Sequence, residues 1–261
     1  MTPKLPLVSI FKDALRFPYK HYRSLLKVGL PIFVTGAIYS IFNQFSESYA
    51  VNFSVYVLNI LLFIGVALSL VVGIIGCHRI FLLGEDVVQN TNSFNWTGNE
   101  IRYIGWWILI GVFSSLIVIP FLVVLVPLLT ASMNTEFDNY RLLAGLFILV
   151  QFPILYVVSR WSLVLPASAI SNHGKSLSWS WQLSSENGWR LTLLISILPF
   201  LTNLVFSSIP SHSSLVLTLL EGALWLIVGV IEVGILSLSY KFLVANESIE
   251  KSEEELESSA V

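Results

Sequence analysis

Charged residues make up only 11% of this 261-residue chain, where a soluble domain carries about 25%. So little charge leaves too little polar surface to cover a globule in water. Cysteine is nearly absent too. Cys77 stands alone, which excludes an intramolecular disulfide and any zinc site built from several thiolates. It sits in an apolar run, where packing is its expected role. His21, His78, His173 and His212 show no ligand spacing, so no metal or other cofactor is expected. No phosphate-binding glycine loop, dinucleotide fingerprint, HExxH or GxSxG occurs. No Ser–His arrangement is legible in the apolar segments either. An enzyme is therefore not expected, and nucleic acid is not an expected partner. No cleavable signal is expected either, because about 25 mixed residues precede the first long apolar run.

What is abundant is apolar surface. Hydrophobic residues are 55% of the chain and mean hydropathy is +0.79. A helix that crosses a membrane needs about 20 predominantly apolar residues, at about 1.5 Å per residue through a core about 30 Å thick. Candidate spans fall at 25–45, 53–76, 104–129, 142–159, 191–209 and 215–240. The expected fold is therefore all-α: a polytopic bundle of six transmembrane helices with short interfacial helices on one side. A basic amphipathic arm (1–24) precedes the bundle (25–243), and an acidic tail (244–261) follows it. The tail has too few apolar residues to fold alone and reads as disordered.

The basic residues test this layout. Six spans place Lys4, Lys12, Arg16, Lys20, Arg23, Lys27, Arg79, Arg102, Arg160, Lys175, Arg190, Lys241 and Lys251 on one side, and only Arg141 on the other. Thirteen of the 14 Lys and Arg thus share a side. Lys and Arg concentrate in cytoplasmic segments, so both termini are expected in the cytoplasm. The opposite loops, near 46–52, 130–141 and 210–214, are too short for a domain.

Within 5–17, Val8, Phe11 and Leu15 form a helical stripe before Pro18. This suits a helix in the membrane surface or a plain basic flank that orients the first span. In the run SLSWSWQLSSENGWR, Ser176 can cap a short helix and Asn187–Gly188 can stop it. Trp179, Trp181 and Trp189 suit the headgroup region, either in an interfacial helix or as a depth-setting belt. Arg79, Arg160 and Lys241 are evenly spaced. That spacing fits three tandem hairpins or three hairpins of merely equal length.

Inside the membrane, Glu221 and Glu232 lie 11 residues apart, about 20° past three helical turns, so they share a face. An ionisable group at that depth costs about 2.5–3.5 kcal/mol on insertion scales and should find a partner in the bundle. Asn59, Gln151, Asn203 and Arg160 are the candidates. The pair reads either as a polar path along the sixth helix or as a packing hydrogen bond. Gly65, Ser69 and Gly73 form a small-residue stripe that admits a close helix neighbour. Pro120, Pro127, Pro153, Pro166 and Pro199 invite kinks. Kinked helices occur both in transporter sites and in inert spans.

Two boundary segments carry a family likeness: HRIFLLGED (His78 to Asp86) and RWSLVLPASAI (Arg160 to Ile170), the latter followed by the GWRL ending of the Ser176–Arg190 segment. Together they resemble the polytopic bacterial membrane proteins related to the membrane domain of glycerophosphoryl diester phosphodiesterases. The resemblance implies a bacterial inner-membrane location, six helices and a lipid-related or envelope context. It does not imply catalysis, because the diesterase site belongs to a separate barrel domain of about 250 residues. The expected function is thus a non-catalytic membrane component acting through lipid or protein contacts, with a small transporter as the alternative. Its boundary candidates are Arg79, Glu85, Asp86, Arg102, Arg160, Trp179, Trp181, Trp189 and Arg190. Guanidinium groups there can engage phosphate. Expected partners are membrane lipids, with a membrane protein or a second copy of the chain besides.

Overall fold

The computed structural model describes residues 3–46, 53–86, 98–132, 138–172, 174–207 and 214–259. The expected loops near 46–52, 130–141 and 210–214 lie in part outside these residues, as do His173 and His212. Among the described residues the chain is all-α, with no strand. An amphipathic α1 (Leu7–Lys20) leads into α2 (Tyr22–Ser46), α3 (Phe53–Leu83), α4 (Gly98–Ser132) and α5 (Asp138–Trp161). Two short helices follow, α6 (Val164–Ala169) and α7 (Leu177–Leu183). Beyond a 3₁₀ turn at Ser185–Asn187, the next crossing is composite: α8 (Gly188–Leu191), a π turn (Thr192–Ile197) and α9 (Leu198–Ser207). The last helix, α10, runs from Leu215 to Ser259.

Six stretches are long and apolar enough to cross a membrane: Tyr22–Phe45, Phe53–Leu83, Gly98–Val124, Gln151–Ala169, Ser185–Val205 and Leu215–Ile249. The chain has the architecture of a multi-pass membrane protein. Pro31, Pro120, Pro127 and Pro153 sit inside helices that continue through them. Pro199 is different, because a π turn precedes it and the Leu198 N–H reaches back five residues to the Leu193 carbonyl. A π turn is one way a helix absorbs a local break in its ladder.

Burial is concentrated at the end where the basic residues gather. Leu5, Ile10 and Ala14 of the arm pack with Leu163, Ala167, Leu191, Leu194, Ile235, Tyr240 and Leu243. A second cluster joins Ile75, Tyr103, Ile110, Val164, Leu165 and Ala169. A third joins Leu25, Val28, Cys77 and Ile80, which gives Cys77 the packing role expected of it. All six residues of α6 are buried, and α6 contributes to the first two clusters. The segment read as lying at the membrane boundary is thus at the centre of the core.

Three further local expectations change. Of the expected stripe Phe11 packs inward, beside Leu7, Ile10, Ala14 and Phe17, whereas Val8 is 79% and Leu15 46% exposed. Both stripes have helical spacing, and the structure uses the one that continues Leu5. Pro18 does not end α1, which runs on to Lys20. The close approach of α2 and α3 uses Gly73 and Gly76, where an added Cβ would strike Ile32 and Val28, while Gly65 has open space around it. Finally, where the sequence reads as a disordered tail, α10 continues to Ser259. Glu, Lys, Ala and Leu are good helix formers, and extending an existing helix avoids the nucleation cost.

Candidate functional site

At the basic end, most of the candidate side chains hold the protein together. The Arg79 guanidinium donates from Nε to the Ala169 carbonyl (2.9 Å) and from Nη2 to Glu100 Oε1 (2.8 Å). The Glu100 side chain is only 4% exposed. This pair ties α3 to the start of α4 and to the C-terminus of α6, where a cation suits the last carbonyls of the helix.

Arg160 is 4% exposed. It donates from Nε to Ser184 Oγ (2.8 Å), from Nη1 to the Tyr156 hydroxyl (3.1 Å) and from Nη2 to the Trp181 carbonyl. Its Cζ lies 3.6 Å from the Trp181 ring centroid and 5.5 Å from that of Tyr156. A weakly hydrated guanidinium tolerates such a cage of neutral acceptors and ring faces. Arg190 donates to the Leu5 carbonyl (2.7 Å), and Asn187 Oδ1 accepts from the Leu5 N–H (2.7 Å). These contacts fasten the arm to the turn before α8. At the end of α3, Glu85 contacts His21, whose ring lies against Phe17, itself stacked on Phe81.

The tryptophan segment forms the short helix expected of it, with Ser176 Oγ accepting from the Trp179 N–H (3.2 Å). Asn187–Gly188 does not stop it. Gly188 opens α8, and an added Cβ there would lie 2.6 Å from the Tyr156 hydroxyl. Trp181 covers Arg160, Trp179 lies over Lys175, and Trp189 packs on Tyr156 while remaining 68% exposed. Asp86 is exposed. The evenly spaced Arg79, Arg160 and Lys241 have three different surroundings, since Lys241 is exposed.

The intramembrane candidates do not converge. Asn59 donates to Asn43, and the exposed Asn203 bonds back to its own Pro199 carbonyl (3.2 Å). Gln151 and Glu221 are half-buried on α5 and α10. Arg160 is engaged as described and does not serve Glu232. Glu232 keeps one buried carboxyl oxygen, Oε1, without a hydrogen-bond partner among the described residues.

One polar cluster was not legible in the sequence. His78, fully buried, links three helices: its Nδ1 is 2.7 Å from Ser237 Oγ and its Nε2 is 3.3 Å from the Tyr103 hydroxyl. Ser237 in turn donates to the Val233 carbonyl (2.7 Å). Its single proton is then used, so His78 Nδ1–H donates to Ser237 and Nε2 accepts from Tyr103. Every member of the chain is satisfied, and neither His78 nor Ser237 has accessible surface. The arrangement has the bonding of a packing element.

Two openings flank this core. One, about 180 Å³, is lined by Pro3, Trp179, Glu186, Asn187, Leu243 and Glu247 among others. The other, about 290 Å³, lies between α4 and the turn after α6, lined by Arg102, Trp106, Val164, Ser168, Asn172, Gly174 and Lys175. Arg102 was an expected boundary residue, whereas Trp106 and Lys175 were not singled out. Among the described residues no three of His, Cys, Asp and Glu gather as a metal-holding group. No family model, curated protein or solved structure matches the chain.

Proposed function

We propose that this chain is a non-catalytic component of a bacterial inner membrane, with both termini cytoplasmic, that acts through lipid or protein contacts at its basic end. The observation that carries the reading is a coincidence of place. The packed core, the basic residues and the two polar-lined openings occupy one end, while the rest of the bundle presents exposed apolar side chains suited to lipid. The sorting of 13 of 14 basic residues to that end supports the orientation. The resemblance to membrane proteins related to the diesterase membrane domain supports an envelope setting. Affinity purification of the full chain in mild detergent, with lipid and protein analysis, is expected to return a reproducible lipid or protein companion. Recovery of neither would end this reading.

A small transporter is the second reading, and one observation favours it: Glu232 Oε1 is buried at membrane depth without a hydrogen-bond partner among the described residues. Glu232 is nine residues before Lys241, about 13 Å along the helix. The cavity between α2, α3 and α10 is lined by Ile32, Gly36, Ser40, Val66, Thr218, Gly222 and neighbours, and Glu221 and Glu232 are not among them. Flux in proteoliposomes that exceeds background and falls in Glu232→Gln supports transport. Background flux across a substrate panel argues against it.

A further inference from the structure

We infer that α1 lies in the membrane surface at the basic end, with Val8, Leu15 and Tyr19 among lipid acyl chains and Lys12, Arg16 and Lys20 on anionic headgroups. The inference rests on the lipid-contact reading above and gives it a surface.

The helix sorts its side chains around the axis. Counted from Val8 at about 100° per residue, Phe17, Ile10, Ala14, Leu7 and Phe11 span about 180° to 300°. Ile10 and Ala14 are buried, and the other three pack against the core clusters. Leu15, Val8 and Tyr19 continue this apolar arc from about 340° to 20°. Those three are 46%, 79% and 88% exposed. Lys12, Arg16 and Lys20 follow at about 40°, 80° and 120°. Protein therefore covers one side of the apolar arc and leaves bare the side next to the cations. A bare apolar stripe edged by Lys and Arg is the pattern of a helix seated at the boundary of headgroups and acyl chains.

The three cations are exposed, and among the described residues no ion pair engages them. Asp13 is the one acidic residue of α1. It lies at about 140°, on the far side of the cations from the bare stripe. Long basic side chains lay their stems along apolar surface and carry the charge outward, so at the stripe's edge they reach phosphate. A guanidinium brings paired donors to phosphate oxygens, and an ammonium brings a point charge. Tyr19 suits the same depth, with an apolar ring and a hydroxyl that stays wet.

The inner contacts set α1 level with the ends of the spans. Phe17 stacks on Phe81, with ring centroids 3.8 Å apart, just before α3 ends at Leu83. The cluster that holds Leu5, Ile10 and Ala14 includes Tyr240 and Leu243, which flank the exposed Lys241. Only His21 separates α1 from α2. There Tyr22, Leu26, Leu30 and Val34, at four-residue steps, are 52%, 61%, 57% and 45% exposed. The bare stripe of α1 thus ends where the lipid-facing stripe of the first span begins, and one solvent can cover both. A second copy of α1 would bring the same three cations to the face, and like charges oppose that pairing. An anionic leaflet supplies both the apolar depth and the opposite charge.

The full chain in nanodiscs of phosphatidylglycerol and phosphatidylcholine in equal parts tests this. In a Cys77→Ala background, a bimane on Leu15→Cys is expected to be quenched by brominated acyl chains. Quenching should be stronger with the bromine on phosphatidylglycerol than on phosphatidylcholine. Lys12→Gln/Arg16→Gln/Lys20→Gln is expected to abolish that difference. A bimane on Ser9→Cys, at an exposed position among the cations, is expected to escape quenching. Should Cys77→Ala not fold, diazirine-bearing acyl chains on the unchanged chain are expected to label Val8, Leu15 and Tyr19 and to spare Ser9. An unquenched Leu15 position, or an unlabelled α1, means that water or protein covers the stripe and overturns the placement. Equal quenching by the two lipids in the parent chain overturns the headgroup contact. Either result with lipid or protein companions still recovered counts against α1 only; absence of every companion counts against the broader reading.

Discussion

Every residue from Ser162 to Ala169 is buried, whereas along α4 Val112, Leu116, Ile119 and Val123 are 50%, 57%, 51% and 67% exposed. The contrast holds across the bundle. Of an 18-residue apolar stretch within Gln151–Ala169, 56% is buried, against 6% of such a stretch within Gly98–Val124 and 11% each within Tyr22–Phe45 and Leu215–Ile249. Lipid chains are as apolar as leucine, so within the membrane nothing drives an apolar helix face onto a protein neighbour. Close contact there needs a particular cause. At the basic end the causes are visible: Gly73 and Gly76 admit α2, Gly234 admits Phe81, and polar groups meet in pairs. Among the described residues the opposite half has few of these, and its described side chains are ones that lipid can solvate.

The largest expected effect that would sharpen this contrast is at the Arg79–Glu100 pair. Glu100→Ala leaves a guanidinium short of its charge partner and is expected to cost about 3–5 kcal/mol, read as a shift in the unfolding midpoint in detergent. An Arg79→Met/Glu100→Leu double variant should recover most of the loss, because it removes both charges. Equal loss in the double variant would show that the Ala169 contact is what matters. Next is Ser237→Ala, which strips a fully buried His78 of its acceptor and is expected to cost about 1–3 kcal/mol. A neutral result would mean that His78 finds another partner and that the satisfied chain is not a source of stability. Smallest is Leu116→Ala in the exposed half, expected to fall within about 0.5 kcal/mol of wild type. A cost like that of a core leucine would break the contrast outright, since it would mean that this face of α4 packs against protein.

The number of spans was legible because it depends on length and hydropathy, which are local. The role of each cation was not. Arg79 and Arg160 read naturally as headgroup ligands, yet their partners Glu100, Ala169, Ser184 and Trp181 lie 21 to 90 residues away, and only the fold brings them together. The small-residue stripe was readable in kind but not in register: Gly73 was included, whereas Gly76, Gly188 and Gly234 depend on which face meets which neighbour. The run from Arg160 to Ile170 carried a family likeness and was read as a boundary motif. It is the most buried stretch among the described residues, so its residue choice follows from packing around α6. Arg102 was legible as a boundary cation. That it lines one opening with Lys175 was not, because this depends on the reversal at Ser171, whose left-handed backbone carries no glycine to announce it.

The clamp on Leu5 has a temporal side. Its partners Asn187 and Arg190 are 182 and 185 residues further along the chain. At about 5–20 residues per second, they leave the ribosome roughly 10–40 s after the arm does. Through that interval Leu5, Ile10 and Ala14 have no protein groove to enter, and the membrane surface is the nearest apolar medium. The arm is therefore expected to ride on the lipid while the helices insert, and its inner face to leave it for the protein only when the fifth crossing has begun. The last step in building the molecule is then made by some of its first residues.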